Sequence, residues 1–307
     1  MSGTEEMEGI LLVDKPAGMT SHDVVDAVRR AAKMRRVGHT GTLDPAATGL
    51  LIMCIGKATR LAEFLTGMDK VYEGAMRLGI VTDSYDLDGE ITETHPVPAI
   101  GRAEIEEAME AFTGQINQMP PMVSAVKIGG ERLYKRARNG EIIERPARPI
   151  CIHEFAFLNL ATPDVQFRVR CSSGTYVRSL CHDVGQRLGC GAALASLRRT
   201  RIGRHRIEDA VPLEHVKTPE DIRIKLVPME AALDLPRVCV DGEDRHRIVT
   251  GNMVIVPDLC HNEDDRVGWV QIVGPQGELV ALGQVDRGFA GEGSVGIQPK
   301  RVFVENK

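Results

Sequence analysis

The segment Gly38-His39-Thr40-Gly41-Thr42-Leu43-Asp44-Pro45-Ala46-Ala47-Thr48-Gly49 concentrates the residue types that chemistry needs. Its three glycines permit positive φ and a close approach of backbone to a ligand. Pro45 restricts Asp44 to extended backbone and so fixes the direction in which its carboxylate leaves the chain. A carboxylate held in this way can attack an electrophile or accept a proton; the same Asp-Pro pair also suits a plain turn closed by an Asx bond. Three further segments carry candidates. In Lys70-Val71-Tyr72-Glu73, Tyr72 lies in a strand-like stretch, as a core ring with its hydroxyl at the surface or as a ring facing a ligand. In Ser173-Gly174-Thr175-Tyr176-Val177-Arg178, a turn leads into a helix and puts Arg178 in its first turn, where the macrodipole disfavours a cation. Arg178 therefore calls for an anionic partner, in a surface salt bridge or in a site. The polar stretch from Gln115 to Arg138 sets Lys127, Arg136 and Arg138 around Tyr134, the mixture that phosphate contact plus base stacking requires, although a solvated loop has the same composition.

No other chemistry competes. HExxH is absent, GxGxxG and GxxxxGK[ST] are absent in a suitable context, and no His/Cys/Asp cluster has metal-ligand spacing. The seven cysteines are odd in number and form no CxxC pair, which argues for reduced thiols rather than a disulfide framework or a structural zinc. No cofactor and no metal are expected.

A net charge of −5 at first disfavours a nucleic-acid partner, but the charges are segregated. Residues 29–39 hold five Arg or Lys and no acid, and residues 168–206 hold nine arginines against the single acid Asp183. Residues 127–148 hold seven basic and three acidic side chains, whereas residues 81–110 hold nine acids and only Arg102. Such a chain can present a basic face while being acidic overall. With 307 residues, 43% of them apolar, it can bury a sizeable core without staples. The acidic N-terminus has no apolar signal core, so a cytoplasmic protein is expected, with no membrane association.

The elements that must position these residues follow from pattern. GILLV at 9–13 reads as a buried strand, and Thr20 or Ser21 caps a helix to about Ala32. RRVGHTGTLDPAATG reads as a long glycine-rich loop before the buried strand LLIMCIG. Residues 70–78 alternate as a strand, VTDSYDLDGEIT is an acidic loop, and 102–113 is an amphipathic helix. Residues 114–149 read as a projecting basic insertion. Strands at 151–159 and 165–171 precede a helix at 175–188. From Pro236 the texture becomes short β-like runs split by Gly, Pro and Asp, which predicts a boundary near 235 and a small all-β domain over 236–307.

Taken together and in order, KPAGMTSHDVV, RRVGHTGTLDPAATGLL, KVYEGAMRLGIVTDSYDLDG, FTGQINQMPPMVSAVKIGGERLYKRAR, SGTYVRSL and LGCGAALASLRR resemble the TruB family of pseudouridine synthases over most of residues 9–205. The resemblance implies an α+β pseudouridine synthase fold, with a mixed, largely antiparallel sheet and an RNA cleft across it. Asp44 falls on the family's catalytic aspartate, Tyr72 on the tyrosine that packs against the target base, and Arg178 on the arginine that pairs with the aspartate. His39 falls on the histidine that enters the tRNA loop, and Leu197 on an apolar position lining the pocket. Lys15 and Pro16 match an N-terminal motif that is architectural rather than catalytic. Residues 236–307 resemble a PUA domain, a small RNA-contacting β-barrel, with ELVALGQVD the best-matching piece.

The implied substrate is the T-loop uridine at tRNA position 55, and the implied partner is the T-arm stem-loop, bound by a monomer with no obligatory protein partner. The reaction moves the glycosidic bond of a uracil from N1 to C5. It needs an ionised carboxylate, and Arg178 would hold Asp44 in that form. The uracil must first leave its stack, which costs a few kcal/mol; stacking on Tyr72 returns about 1–3 kcal/mol. Two alternatives stay open: a guide-dependent synthase acting on ribosomal RNA, and a non-catalytic tRNA-binding or folding protein. An Asp-dependent hydrolase is a third, which the basic segregation disfavours.

Overall fold

The computed structural model describes residues 7–121, 127–128, 131–132, 146–257, 268–288 and 293–304. The first strand, β1 (Gly9–Lys15), is followed by helix α1 (Ser21–Ala32). Thr20 caps α1 through a reciprocal box with Asp23, and Val24, Val25, Val28, Ala31 and Ala32 form its buried stripe. Strands β2 (Val37–Thr40) and β3 (Thr48–Ile55) flank the Asp44 segment. Only residues 41–47 therefore form a loop. The expected longer loop is shortened because Val37–Thr40 pairs with Ile52–Ile55, a partner sequence pattern does not reveal. Helix α2 (Ala62–Gly67) leads to β4 (Lys70–Leu78). The acidic segment is a hairpin of β5 (Ile80–Thr82) and β6 (Ile91–Thr94), with a loop at 83–90.

Helix α3 (Arg102–Glu110) and β7 (Gly114–Gln118) come next, then a short pair, β8 (Lys127–Ile128) with β9 (Glu131–Arg132). They are followed by β10 (Arg148–Ala161), β11 (Asp164–Cys171), α4 (Val177–Arg187) and β12 (Ala192–Ile202). The body closes with β13 (His205–Arg206), β14 (Val211–Pro212) and α5 (Pro219–Lys225). Main-sheet order is β14-β1-β3-β12-β4-β11-β10-β7, with β2 beside β3 and β13 beside β12. Only β1–β14 and β3–β12 pair in parallel, so the sheet is mixed and largely antiparallel. The expected insertion is narrower than 114–149, because Gly114–Gln118 pairs with Arg148–Ile152 inside this sheet. Tyr134, Arg136 and Arg138 lie outside the described residues, as does the side chain of Lys127.

Strand alternation sorts the core. Leu11, Val13, Leu51 and Met53 pack under α1, while Ile10, Leu12, Leu50 and Ile52 pack on the opposite face with Leu61 and Leu65. Farther along the sheet, Met76, Val165, Phe167 and Val169 meet α3 and α4 through Ile105, Met109, Leu180 and Val184.

The described strands beyond 236 form a second, five-stranded sheet in the order β15 (Arg237–Cys239), β17 (Trp269–Val273), β18 (Leu279–Asp286), β19 (Ser294–Val302), β16 (Val254–Pro257). It also carries helix α6 (Gly242–Val249), so this part is not all-β; Glu243 and Asp244 in the first turn and His246 and Arg247 in the last suit the macrodipole. Its own core, around Ile248, Val270, Ile272 and Ile297, is separate. Leu279, Leu282 and Phe303, however, join the cluster of Ile10, Leu12 and Leu50 in the body, and Trp269 meets Phe64 edge to face at 4.8 Å. Among the described residues, no helix is long and apolar enough to cross a membrane.

Candidate active site

The loop at 41–47 is built from beneath. Lys15, fully buried at the end of β1, donates its ammonium to the carbonyls of Pro16 (2.9 Å), Met19 (2.7 Å) and Pro45 (3.0 Å). All three ammonium protons are used, so the charge is satisfied although burial lowers the Lys15 pKa. Ser21 Oγ takes the Leu43 N–H at 2.9 Å and reaches the Leu43 carbonyl at 3.2 Å. Gly18 N–H donates to the Pro45 carbonyl. The KPAGMTS turn thus clamps both neighbours of Asp44, through Lys15, Gly18 and Ser21.

From the other side the loop rests on Arg199, which is 1% exposed. Its Nε donates to the Leu50 carbonyl at 2.7 Å and Nη2 to the Gly41 carbonyl at 3.0 Å. Gly49 has φ +102, and a Cβ there would lie 2.3 Å from the Arg199 carbonyl oxygen, so only glycine fits. Arg199 also lies over the Tyr72 ring, 6.0 Å from its centroid. Lys70, buried two residues before Tyr72, donates to the Thr66 and Met68 carbonyls; burial and then Arg199 pull its pKa down to about 8.

Asp44 meets Arg178 with Nη2 at 3.3 Å from Oδ2 and 3.5 Å from Oδ1. The Arg178 side chain is 7% exposed and that of Asp44 48%, so the guanidinium is sunk and the carboxylate faces the open side. Arg178 stands in the first turn of α4, and its anionic partner is double: Nη1 lies 3.2 Å from Asp86 Oδ2. Asp86 is itself aimed, because Ser84 Oγ donates to its Oδ1 at 2.6 Å and Thr82 Oγ1 to its carbonyl at 2.7 Å. The entry to α4 is pinned by Gln118, which takes the Tyr176 N–H at 2.8 Å and donates to the Tyr176 carbonyl at 3.0 Å.

The effects on the Asp44 carboxyl oppose one another. Burial raises the Asp44 pKa; Arg178 lowers it, but Asp86 and Asp88 raise it again. Half of the side chain is open to water, so the burial effect is partial, yet a guanidinium divided between two carboxylates does not outweigh it. Tyr72 is buried in the core cluster with Leu43 and Ala47, and burial raises its pKa, keeping its hydroxyl protonated.

The structure thus brings Asp44, Tyr72 and Arg178 to one region, although they come from a loop, a strand and a helix. Leu197 is half-buried on β12, opposite Gly74 of β4, and packs on the cluster that holds Tyr72. His39 lies on β2 rather than in a loop, opposite Met53; its Nδ1 is buried without a hydrogen bond among the described residues, and burial lowers its pKa. Asp86 and Arg199 were not singled out from the sequence. Asp86 is one of three aspartates in VTDSYDLDG, and nothing local separates it from Asp83 and Asp88. Arg199 sits in an Arg-Arg pair that reads as surface, because a fully buried arginine is unusual.

The TruB family pseudouridylate synthase N-terminal domain matches residues 29–177, and the tRNA pseudouridylate synthase B C-terminal domain matches residues 178–234. The chain belongs to the TruB family of pseudouridine synthases. It is 51% identical over 231 residues to the tRNA pseudouridine synthase B of Opitutus terrae, covering 74% of this chain and 95% of that one. With that of Thermotoga maritima the identity is 42% over 281 residues, 91% of this chain and 90% of the other. Among solved structures, a chain of a Cbf5-Nop10-Gar1 complex superposes with a TM-score of 0.75 at 29% identity, covering 97% of this chain and 85% of that chain. A chain of an H/ACA RNP bound to a substrate RNA containing 2'-deoxyuridine gives 0.74 at 27% identity, over 96% and 85%.

Proposed function

We propose that this protein converts the T-loop uridine at tRNA position 55 to pseudouridine without a cofactor, with Asp44 as the catalytic carboxylate. The bond from ribose C1′ to N1 breaks, the uracil turns, and C5 joins C1′. C5 gives up a proton and N1 gains one, so the product is an isomer with no leaving group and no redox change. Asp44 acts while ionised, as nucleophile or as base. Arg178 orients it, and Tyr72 offers the base a ring to pack on and a protonated hydroxyl that can relay a proton. The observation that carries the reading is the meeting of Asp44 with Arg178, 134 residues away in sequence, in a chain whose relatives are named tRNA pseudouridine synthase B.

The base must be extruded to reach Asp44. In this reading His39 enters the tRNA loop, Leu197 lines the pocket, and Lys127, Tyr134, Arg136 and Arg138 meet the RNA. The catalytic body spans 1–235, and 236–307 is a PUA-type module. Residues 238–307 hold seven basic and eleven acidic side chains, so its share of phosphate binding is small. The protein acts in the cytoplasm as a monomer, with the T-arm as its partner.

The test is to incubate the purified chain with an unmodified tRNA transcript, and with a T-arm stem-loop, and to map pseudouridine at single-nucleotide resolution. Conversion of the T-loop uridine in both is expected. The likeness to H/ACA RNP chains supports a second reading, a guide-dependent synthase. Inertness on bare tRNA, with conversion only when a guide RNA is added, would decide for it.

A further inference from the structure

Tyr85 has φ +66, in the left-handed region that bulky residues rarely adopt. Glycine is the residue that fits this conformation without strain, so a tyrosine there points to a task for its ring. The ring stacks on His182 of α4, centroid to centroid at 4.0 Å and 18° from parallel. His182 follows Arg178 by four residues, so the two stand on one face of α4. Tyr85 and Asp86 are neighbours in the 83–90 loop. Two adjacent loop residues therefore meet two side chains one helical turn apart: Tyr85 on His182, and Asp86 on Arg178.

We propose that Tyr85 and His182 are positioning residues, an aromatic clamp that fixes the 83–90 loop on α4 and so sets Asp86 against Arg178 and Arg178 against Asp44. The loop is also tied to its own hairpin, where Thr82 Oγ1 donates to the Asp86 carbonyl, and to β12, where Leu194 N–H donates to the Tyr85 carbonyl at 2.9 Å and Leu87 N–H to the Leu194 carbonyl at 3.0 Å. Those bonds fix the height of the loop on β12. They leave its approach to α4 to the ring stack and the Asp86 ion pair. The His182 Nδ1 is buried with no hydrogen bond among the described residues, so the ring presents a face rather than a polar contact. Its burial lowers the pKa and favours the neutral ring.

This inference rests on the proposed synthase activity. The experiment compares single-turnover conversion of an unmodified tRNA transcript, at saturating enzyme, with a separate measurement of tRNA affinity. Tyr85→Gly keeps the left-handed backbone and removes only the ring; His182→Ala removes the other half of the stack. Each is expected to slow conversion about 10–100-fold, the scale of a misplaced catalytic group, with tRNA affinity unchanged. Tyr85→Phe, which preserves the stack, is expected to recover most of the rate. In an Asp86→Asn background, Tyr85→Gly should add little further loss, because the clamp acts through Asp86. A full rate in either folded variant, or losses that multiply with Asp86→Asn, would overturn the clamp. If Tyr85→Gly fails to fold, His182→Ala carries the same test. A wild-type chain that converts no uridine would instead remove the functional reading itself.

Discussion

Asp86 lies 3.2 Å from the Arg178 guanidinium, as near as Asp44 at 3.3 Å. One buried cation thus serves two carboxylates, one at each terminal nitrogen. The arginine is held by one and aims the other; burial keeps the Asp44 pKa above its ordinary value against the pull of Arg178, and the charge of Asp86 adds to that rise.

Asp86→Asn therefore has two expected effects. Removing the negative charge lowers the Asp44 pKa, so the acidic limb of the single-turnover rate moves to lower pH. The guanidinium also loses its second anchor, so the plateau rate falls about 10–100-fold, the scale of a misplaced catalytic group. A pH profile with saturating enzyme separates the two. An unmoved limb would mean that the rate does not follow the ionisation of Asp44.

Gly49→Ala is expected to destabilise the fold by more than about 2 kcal/mol, because the new methyl meets backbone rather than a movable side chain, at a strained φ. Thermal or urea unfolding of the variant measures it. A variant as stable as the parent would show that the contact between β3 and Arg199 relaxes freely.

Tyr72→Phe keeps the aromatic face and removes the hydroxyl. The ring is buried and the hydroxyl held protonated, so tRNA affinity and folding should hold. If the hydroxyl relays a proton, single-turnover conversion falls on the order of 100-fold. A near-normal rate would leave Tyr72 as a packing surface only.

Cutting the chain at 235 is expected to leave the chemistry in place and to lower stability and solubility. The composition change at 236 suggests a clean separation, but Leu279, Leu282 and Phe303 complete a core that begins in β1, and Arg301 pairs with Glu63 at 2.9 Å. Light scattering and melting of the truncated chain, beside single-turnover conversion, test this. A truncated body that is folded but wholly inactive would place part of the chemistry beyond 235.

Much of the site was legible because its segments carry local constraints. Pro45 fixes Asp44, the SGTY turn starts a helix at Arg178, and alternation marks Lys70–Leu78 as a strand. What stayed hidden depends on long-range pairing. The β2 strand that carries His39 exists only because Val37–Thr40 meets Ile52–Ile55. β12 was not read as a strand because Ala-Ala-Leu-Ala-Ser-Leu alternates poorly and is interrupted by register shifts near Leu194 and Arg199. The choice of Asp86 over Asp83 and Asp88 is made by Ser84 and Arg178 in three dimensions. α6 was missed because its eight residues, GEDRHRIV, are mostly polar and present only a short buried stripe at Ile248.

The central claim is that the Asp44 carboxylate performs the chemistry and Arg178 aims it, and Asp44→Asn tests it most directly. The substitution preserves size and removes the charge. Because the Asp44 pKa is raised on folding, the ionised group costs stability at neutral pH, a cost that vanishes as the pH falls below the ordinary carboxylate value. The variant should thus melt at the parent's temperature or slightly above it and bind tRNA as the parent does. Single-turnover conversion of an unmodified tRNA at saturating enzyme should fall by several orders of magnitude. Appreciable pseudouridine formation by pure Asp44→Asn protein would contradict the account.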